Sequence, residues 1–353
     1  MTVGEEARVT ARRSDAVQFF DAASAAFDRG AAALGLDEHD LTIAGARIRL
    51  RFAGQALQPL LLPPIEHSRT RDDGSDVALT VSFFDSLTTG VPMPPPAWGP
   101  GDYGPKGSII GFNDDRMHAA YQPGVDILNL YDADRHAGLY WVAEPNVVPW
   151  WETPLRTMLH WWAAPTTLQP LHGGAVGRNG VGVLVVGNSG AGKSTTTLAC
   201  LEAGMEYVGD DYLVVDVASA IAYSLYSTVK LEPENLDRFP TLAPLVANAD
   251  RLDTQKAIVR LNEHRGERIV SSLQLRAIVL PHVTGQRESF LAPGSEAEAL
   301  RILAPTTSFH LPGYAREVVT KLGALVRSLP CYRLEAGTDL EQLTATITDL
   351  IES

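Results

Sequence analysis

Residues 183–194 read VLVVGNSGAGKS, an apolar strand run broken by Gly187, Asn188, Ser189, Gly190, Ala191, Gly192, Lys193 and Ser194. That loop satisfies G-x-x-x-x-G-K-[ST] at every fixed position. Its glycines permit a tight turn that brings backbone N–H groups close to a polyphosphate, and the helix expected from Thr195 adds the positive end of its dipole. Lys193 is then placed to neutralise the outer phosphates, and the Ser194 hydroxyl to sit on Mg2+. Context favours a phosphate cradle over an idle glycine-rich turn. A helical run follows over 195–203, Gly204 stands where a C-cap is expected, and the next strand run ends in Asp210 and Asp211.

The chain has 353 residues, room for two domains each with a core of its own. At 45% hydrophobic and 20% charged it has the composition of a globular protein rather than a disordered or fibrous one. A formal net charge of -13 argues against non-specific binding to nucleic acid or an anionic membrane, which both need a basic surface. The first residues are polar, and no run reaches the roughly 18 apolar residues of a spanning helix. With only Cys200 and Cys331, a disulfide framework is not credible, and the reduced cytoplasm is the expected location.

Residues 1–145 are expected to form a β-rich α+β accessory domain that binds the acceptor. Ser14 is read as the cap of a helix with Val17, Phe20, Ala23, Phe27 and Leu34 at helical spacing, closed by Gly35. A hairpin turns at Ala44-Gly45, and strands are expected over 77–84, 108–112, 125–130 and 139–143. The Pro/Gly-rich stretch 92–105, carrying Trp98 and Tyr103, reads as a long loop able to close over an acceptor. Residues 113–116 read as a polar turn rather than a metal site. Past a Pro-flanked boundary, an apolar helix over 154–164 enters the second domain, residues 146–353. His160 within it is expected to be packed rather than ligating.

Two features set the second domain apart from most P-loop proteins. A hairpin, 171–177 and 181–187 across Arg178-Asn179-Gly180, feeds the phosphate loop, and the Asp pair follows after only one helix and one short strand. Together with His172-Gly173 and Tyr207-Val208-Gly209-Asp210-Asp211, these features resemble the HPr kinase/phosphorylase catalytic domain, itself related in fold to phosphoenolpyruvate carboxykinase. The chain looks closer still to HPr-kinase-related bacterial kinases, some of which phosphorylate lasso peptides. Pro154-Leu155-Arg156, the 236–240 region, Leu275-Arg276-Ala277 and the 329–334 region also match that wider group, so the resemblance covers about 145–350. Thr195 stands where bifunctional members carry Glu, and their late glycine-arginine signature is not found. The reverse phosphorylase reaction is therefore not implied.

The resemblance implies an α/β HPr-kinase-like P-loop domain, a sheet wrapped with helices, and transfer of the ATP γ-phosphoryl group to a hydroxyl, with ATP and Mg2+ as cofactors. Phosphoryl transfer needs positioning and charge neutralisation, which a phosphate loop and two carboxylates can supply. On the resemblance, Asp210 is assigned to the acceptor hydroxyl as base, Asp211 to Mg2+ with Ser194, and His172 to the site beside the phosphates, helping to orient Asp210. The order of the two aspartates stays open. Lys230 and Lys256 are balanced between phosphate contact and solvated surface. Arg276, inside an apolar run, is preferred as a second phosphate contact. Residues 304–307 and 311–313 read as turn or loop. The acceptor is expected to be a serine of a peptide or protein, with a free amino acid or other small molecule as alternative. A non-catalytic nucleotide-binding module and homo-oligomer contacts are also left open.

Overall fold

The computed structural model describes residues 3–72, 74–148, 153–308 and 311–353. The chain divides into two compact units, one of residues 1–63, 69–162 and 310–314, the other of 64–68, 163–309 and 315–353. The division thus falls after Trp162, whereas the sequence reading puts it at 145/146.

The first unit opens on helix α1 (Val3–Leu34), which Gly35 ends at φ +91°. Its strands are β1 (Leu36–Ile43), β2 (Ala46–Ala53), β3 (Arg69–Thr70), β4 (Val77–Asp85), β5 (Met117–Gln122), β6 (Ile127–Asp132) and β7 (Ala137–Val142). They form one mixed sheet in the order β3-β1-β2-β4-β7-β6-β5. Single helical turns α2 (Gln58–Leu61) and α3 (Ser86–Thr89) interrupt the strands, and α4 (Arg156–Ala163) follows them. Phe19, Phe20, Ala23 and Phe27 of α1 pack with Leu128, Leu130 and Leu139 into one core. Each such large apolar side chain contributes roughly 1.5–3 kcal/mol when fully buried.

Three local expectations are corrected here. Ser14 lies inside α1, its hydroxyl accepting from Gln18 Nε2 at 3.3 Å, because the helix begins upstream of the apolar stripe. Residues 108–112 make isolated bridges and a turn, and the pairing strand is β5, whose apolar and polar residues do not alternate cleanly. The loop 92–105 does not offer free aromatic anchors. Trp98 packs edge-on against Phe19 and Phe112, its Nε1 donates to Tyr103 Oη at 3.2 Å, and Tyr103 stacks on Tyr121. His160 is buried with Nε2 3.3 Å from the Gly313 carbonyl, as a packed helix histidine should be.

The second unit carries β8 (Leu168–His172), β9 (Gly174–Arg178), β10 (Val181–Val185), β11 (Glu206–Gly209), β12 (Tyr212–Asp216), β13 (Ile221–Tyr223), β14 (Thr228–Leu231), β15 (Ala257–Arg260), β16 (Ser272–Val283), β17 (Phe290–Pro293) and β18 (Cys331–Ala336). Its helices are α5 (Lys193–Glu202), α6 (Glu296–Ser308), α7 (Ala315–Ser328) and α8 (Leu340–Glu352). Strands β11-β9-β10-β16-β13-β12-β8 form the main sheet, extended by β18, which pairs with β16, and by β17, which pairs with β18, while β14 and β15 pair separately. Side chains along β10 alternate between faces. Val183 and Val185 join the core of α5 and α8, and Leu184 and Val186 join that of α6 and α7. The α/β class expected from the sequence is what the chain adopts. Residues 304–307, expected as loop, belong to α6 despite Pro305, and the Thr306 and Ser308 hydroxyls bond back to Ile302 and Ala304 carbonyls.

Candidate active site

The phosphate loop joins β10 to α5, as expected from its sequence. Gly190 and Gly192 adopt φ +78° and +99°, conformations that side-chain-bearing residues rarely hold, so the loop can curl over the helix start. No side chain caps α5, which leaves its first N–H groups directed at the cradle. Lys193 is buried and folds back, its Nζ donating to the carbonyls of Gly187 at 2.9 Å and Asn188 at 3.2 Å. Burial lowers the Lys193 pKa, and the nearby Asp210 and Asp211 charges oppose that shift.

The aspartates occupy a break between two strands. β11 pairs with β9 and β12 with β8, so the chain changes partner at Asp210-Asp211, opposite the Gly173 break between β8 and β9. Gly173 N–H donates to the Asp211 carbonyl at 3.1 Å, and Asp211 takes φ +77°. Neighbouring carboxyls freed from strand alternation thereby meet different surroundings.

Asp210 is almost completely buried, and its Oδ1 has no hydrogen-bond partner among the described residues. Burial pushes its pKa up, with the Ser194 hydroxyl and Lys193 charge only partly countering. Asp211 keeps 23% of its side-chain surface. Its Oδ2 lies 2.6 Å from Lys230 Nζ and its Oδ1 3.3 Å from His172 Nε2. Burial raises the Asp211 pKa, yet Lys230 and His172 outweigh it and hold the carboxyl well below the usual range. His172 therefore contacts Asp211, not the expected Asp210. Its backbone N–H donates to the Thr307 hydroxyl at 3.3 Å, and its ring sits 5.4 Å from that of Tyr212.

These groups line a cavity of about 390 Å³ that includes His172, Ser189, Lys193, Ser194, Thr195, Asp210, Asp211 and Lys230.

No protein-family model matches the chain. Over 78 residues it is 41% identical to the HPr kinase/phosphorylase of Bacillus licheniformis, spanning 20% of this chain and 24% of that protein. Over 235 residues it is 28% identical to the HPr kinase/phosphorylase of Bacillus subtilis, spanning 60% of this chain and 66% of that one. The chain is similar to HPr kinase/phosphorylase. The matches cover less than two thirds of either relative's own length. Among solved structures, the Hpr(Ser) kinase/phosphatase of Coxiella burnetii aligns with a TM-score of 0.26 and 12% identity, over 52% of this chain and 94% of that chain.

Arg276 is not brought to this cavity. It sits on an exposed position of β16 between inward Leu275 and Ala277, and its Nη1 donates to the Ile351 carbonyl at 2.9 Å. The surrounding run is apolar, but the register of β16 against β10 shifts here, from Leu275 opposite Gly182 to Ala277 opposite Val183, and Arg276 is left unpaired in that ladder and exposed. Conversely, Lys230 and Lys256 do line the cavity, with Glu232, Asn235 and Arg238. Lys256 pairs with Glu232 at 2.7 Å. The sequence reading passed over Glu232 and Asn235. The alternation Lys230-Leu231-Glu232 was the available signal, since it places both charges on one strand face.

Among the described residues no helix is long and apolar enough to cross a membrane.

Proposed function

We propose that this chain is a Mg-ATP-dependent kinase that transfers the γ-phosphoryl group to a hydroxyl, with a serine of a peptide or protein as acceptor. The observation that carries the reading is the placement of Asp210 and Asp211 in one cavity with the phosphate loop, Asp210 buried and Asp211 held between Lys230 and His172. Adjacent carboxyls with opposed environments divide into proton acceptor and permanent anion. Asp210, with an unpartnered buried oxygen, is fitted to receive a donor hydroxyl. Asp211 stays ionised and is the better cation ligand, with the Ser194 hydroxyl.

The donor set also fits the nucleotide. Mg2+ favours one or two carboxylates together with phosphate oxygens over an all-protein cage, and bound Mg-ATP would supply both the phosphoryl group and neutralisation of its outer oxygens. Loop N–H groups and Lys193 would hold the phosphates, while Thr195 and the buried Thr196 hydroxyl, which has no partner among the described residues, add donors at the start of α5. The names of the relatives support phosphoryl transfer.

The test is an array of serine-, threonine- and tyrosine-containing peptides and free amino acids incubated with radiolabelled ATP and Mg2+. Label on serine peptides is expected, and its loss in Lys193→Ala together with ATP affinity. Label confined to free amino acids would replace the peptide acceptor, and nucleotide binding without any transfer would end the kinase reading.

A further inference from the structure

Both oxygens of the carboxylate proposed for the metal already have neighbours. Lys230 Nζ lies 2.6 Å from Asp211 Oδ2, and His172 Nε2 lies 3.3 Å from Oδ1. A bare divalent cation approaching Asp211 meets a like charge already at contact distance, and must displace it. Lys230 would then be stranded, because the other side chains lining that wall and the loop include the cations Lys193, Lys256 and Arg238. The neighbouring carboxylate Glu232 is engaged by Lys256 at 2.7 Å. Taking a partner away from a partly buried charge without replacing it is costly. Phosphates in the cradle change this balance. They offer an anion within the same cavity, and the Lys230 side chain, 18% exposed on a flexible four-carbon stem, is free to turn towards them.

We infer that Lys230 is a resident counter-cation of Asp211: it withholds this carboxylate from free divalent metal and releases it when nucleotide phosphates arrive. The inference rests on the kinase reading above. Metal then enters with the nucleotide rather than ahead of it, and by linkage phosphate binding and metal binding strengthen one another to the same degree.

The experiment titrates Mn2+, counted by electron paramagnetic resonance, onto nucleotide-free wild type, Lys230→Gln and Lys230→Arg. Lys230→Gln is expected to bind Mn2+ about fivefold tighter or more, the scale of one partly exposed ion pair removed as competitor. Its affinity for metal-free ADP should fall, and Lys230→Arg should stay with wild type. In wild type, inorganic phosphate should strengthen Mn2+ binding, a measurement that stands even if Lys230→Gln does not fold. A folded Lys230→Gln that binds Mn2+ no tighter overturns the inference, as does equal tightening in Lys230→Arg or an absence of linkage to phosphate. Wild type that binds neither ADP nor Mn-ADP defeats the kinase reading itself. Wild type that turns over ATP while Lys230→Gln leaves Mn2+ affinity unchanged defeats only the counter-cation.

Discussion

His172 Nε2 stands 3.3 Å from Asp211 Oδ1, so the histidine at the end of β8 supports the ionised member of the aspartate pair. On the proposed kinase reading it acts through Asp211 and is a positioning residue. His172→Ala is expected to keep the fold and lower transfer by about 10- to 100-fold, the scale of a misplaced catalytic group. His172→Gln, able to donate to the same oxygen, should recover part of that loss. Turnover at saturating ATP, read beside a thermal melt, separates this outcome from simple unfolding.

Asp210 makes a prediction in which stability and activity move in opposite directions. Its pKa is raised in the folded chain, so its contribution is fully present below the unfolded carboxyl value and lost as pH rises through the folded one. At neutral pH the burial of this carboxyl therefore weakens the fold. Asp210→Asn should melt at a higher temperature than wild type at pH 7, the gain disappearing near pH 3, while transfer falls by about 100-fold or more. A lower melting temperature at pH 7 would contradict the assignment.

Asp211 has the opposite sign. Its folded pKa is depressed, so its stabilisation is present above the unfolded carboxyl value and is lost as pH falls through the folded one. Asp211→Asn should melt below wild type at pH 7 and leave Lys230 without its 2.6 Å partner. Paired melts across pH 3 to 8 check both aspartates against each other.

Gly174 marks how closely the backbone approaches the site. A Cβ there would come within 2.7 Å of Thr197 Cγ2, 2.9 Å of the Gly209 carbonyl and 3.3 Å of Asp210 Oδ1. Because one neighbour is backbone just before the aspartates, Gly174→Ala is expected to cost about 1–3 kcal/mol in a denaturant melt and to displace Asp210. Transfer should fall more than ATP affinity does, and an unchanged ratio of kcat to KM would sink this expectation.

The sequence alone determined the phosphate loop, the strand before it and the helix after it. These follow from short-range rules: eight contiguous positions set the turn, and apolar periodicity sets the elements around it. Nearness in sequence also brought Asp210 and Asp211 to notice. What only the tertiary structure decided is how their surroundings differ. A partner exchange between β8 and β9 on one side and β11 and β12 on the other turns one carboxyl into the interior and the other towards His172 and Lys230. No local pattern encodes a contact between residues 172, 211 and 230, because strand pairing across long loops creates it. The same reason governs Arg276, whose apolar neighbours suggested a phosphate contact while a register shift between β16 and β10 leaves it exposed and bonded to the Ile351 carbonyl. Chemistry at this site is thus written locally in residue type, and the charge each residue carries is settled by neighbours far along the chain.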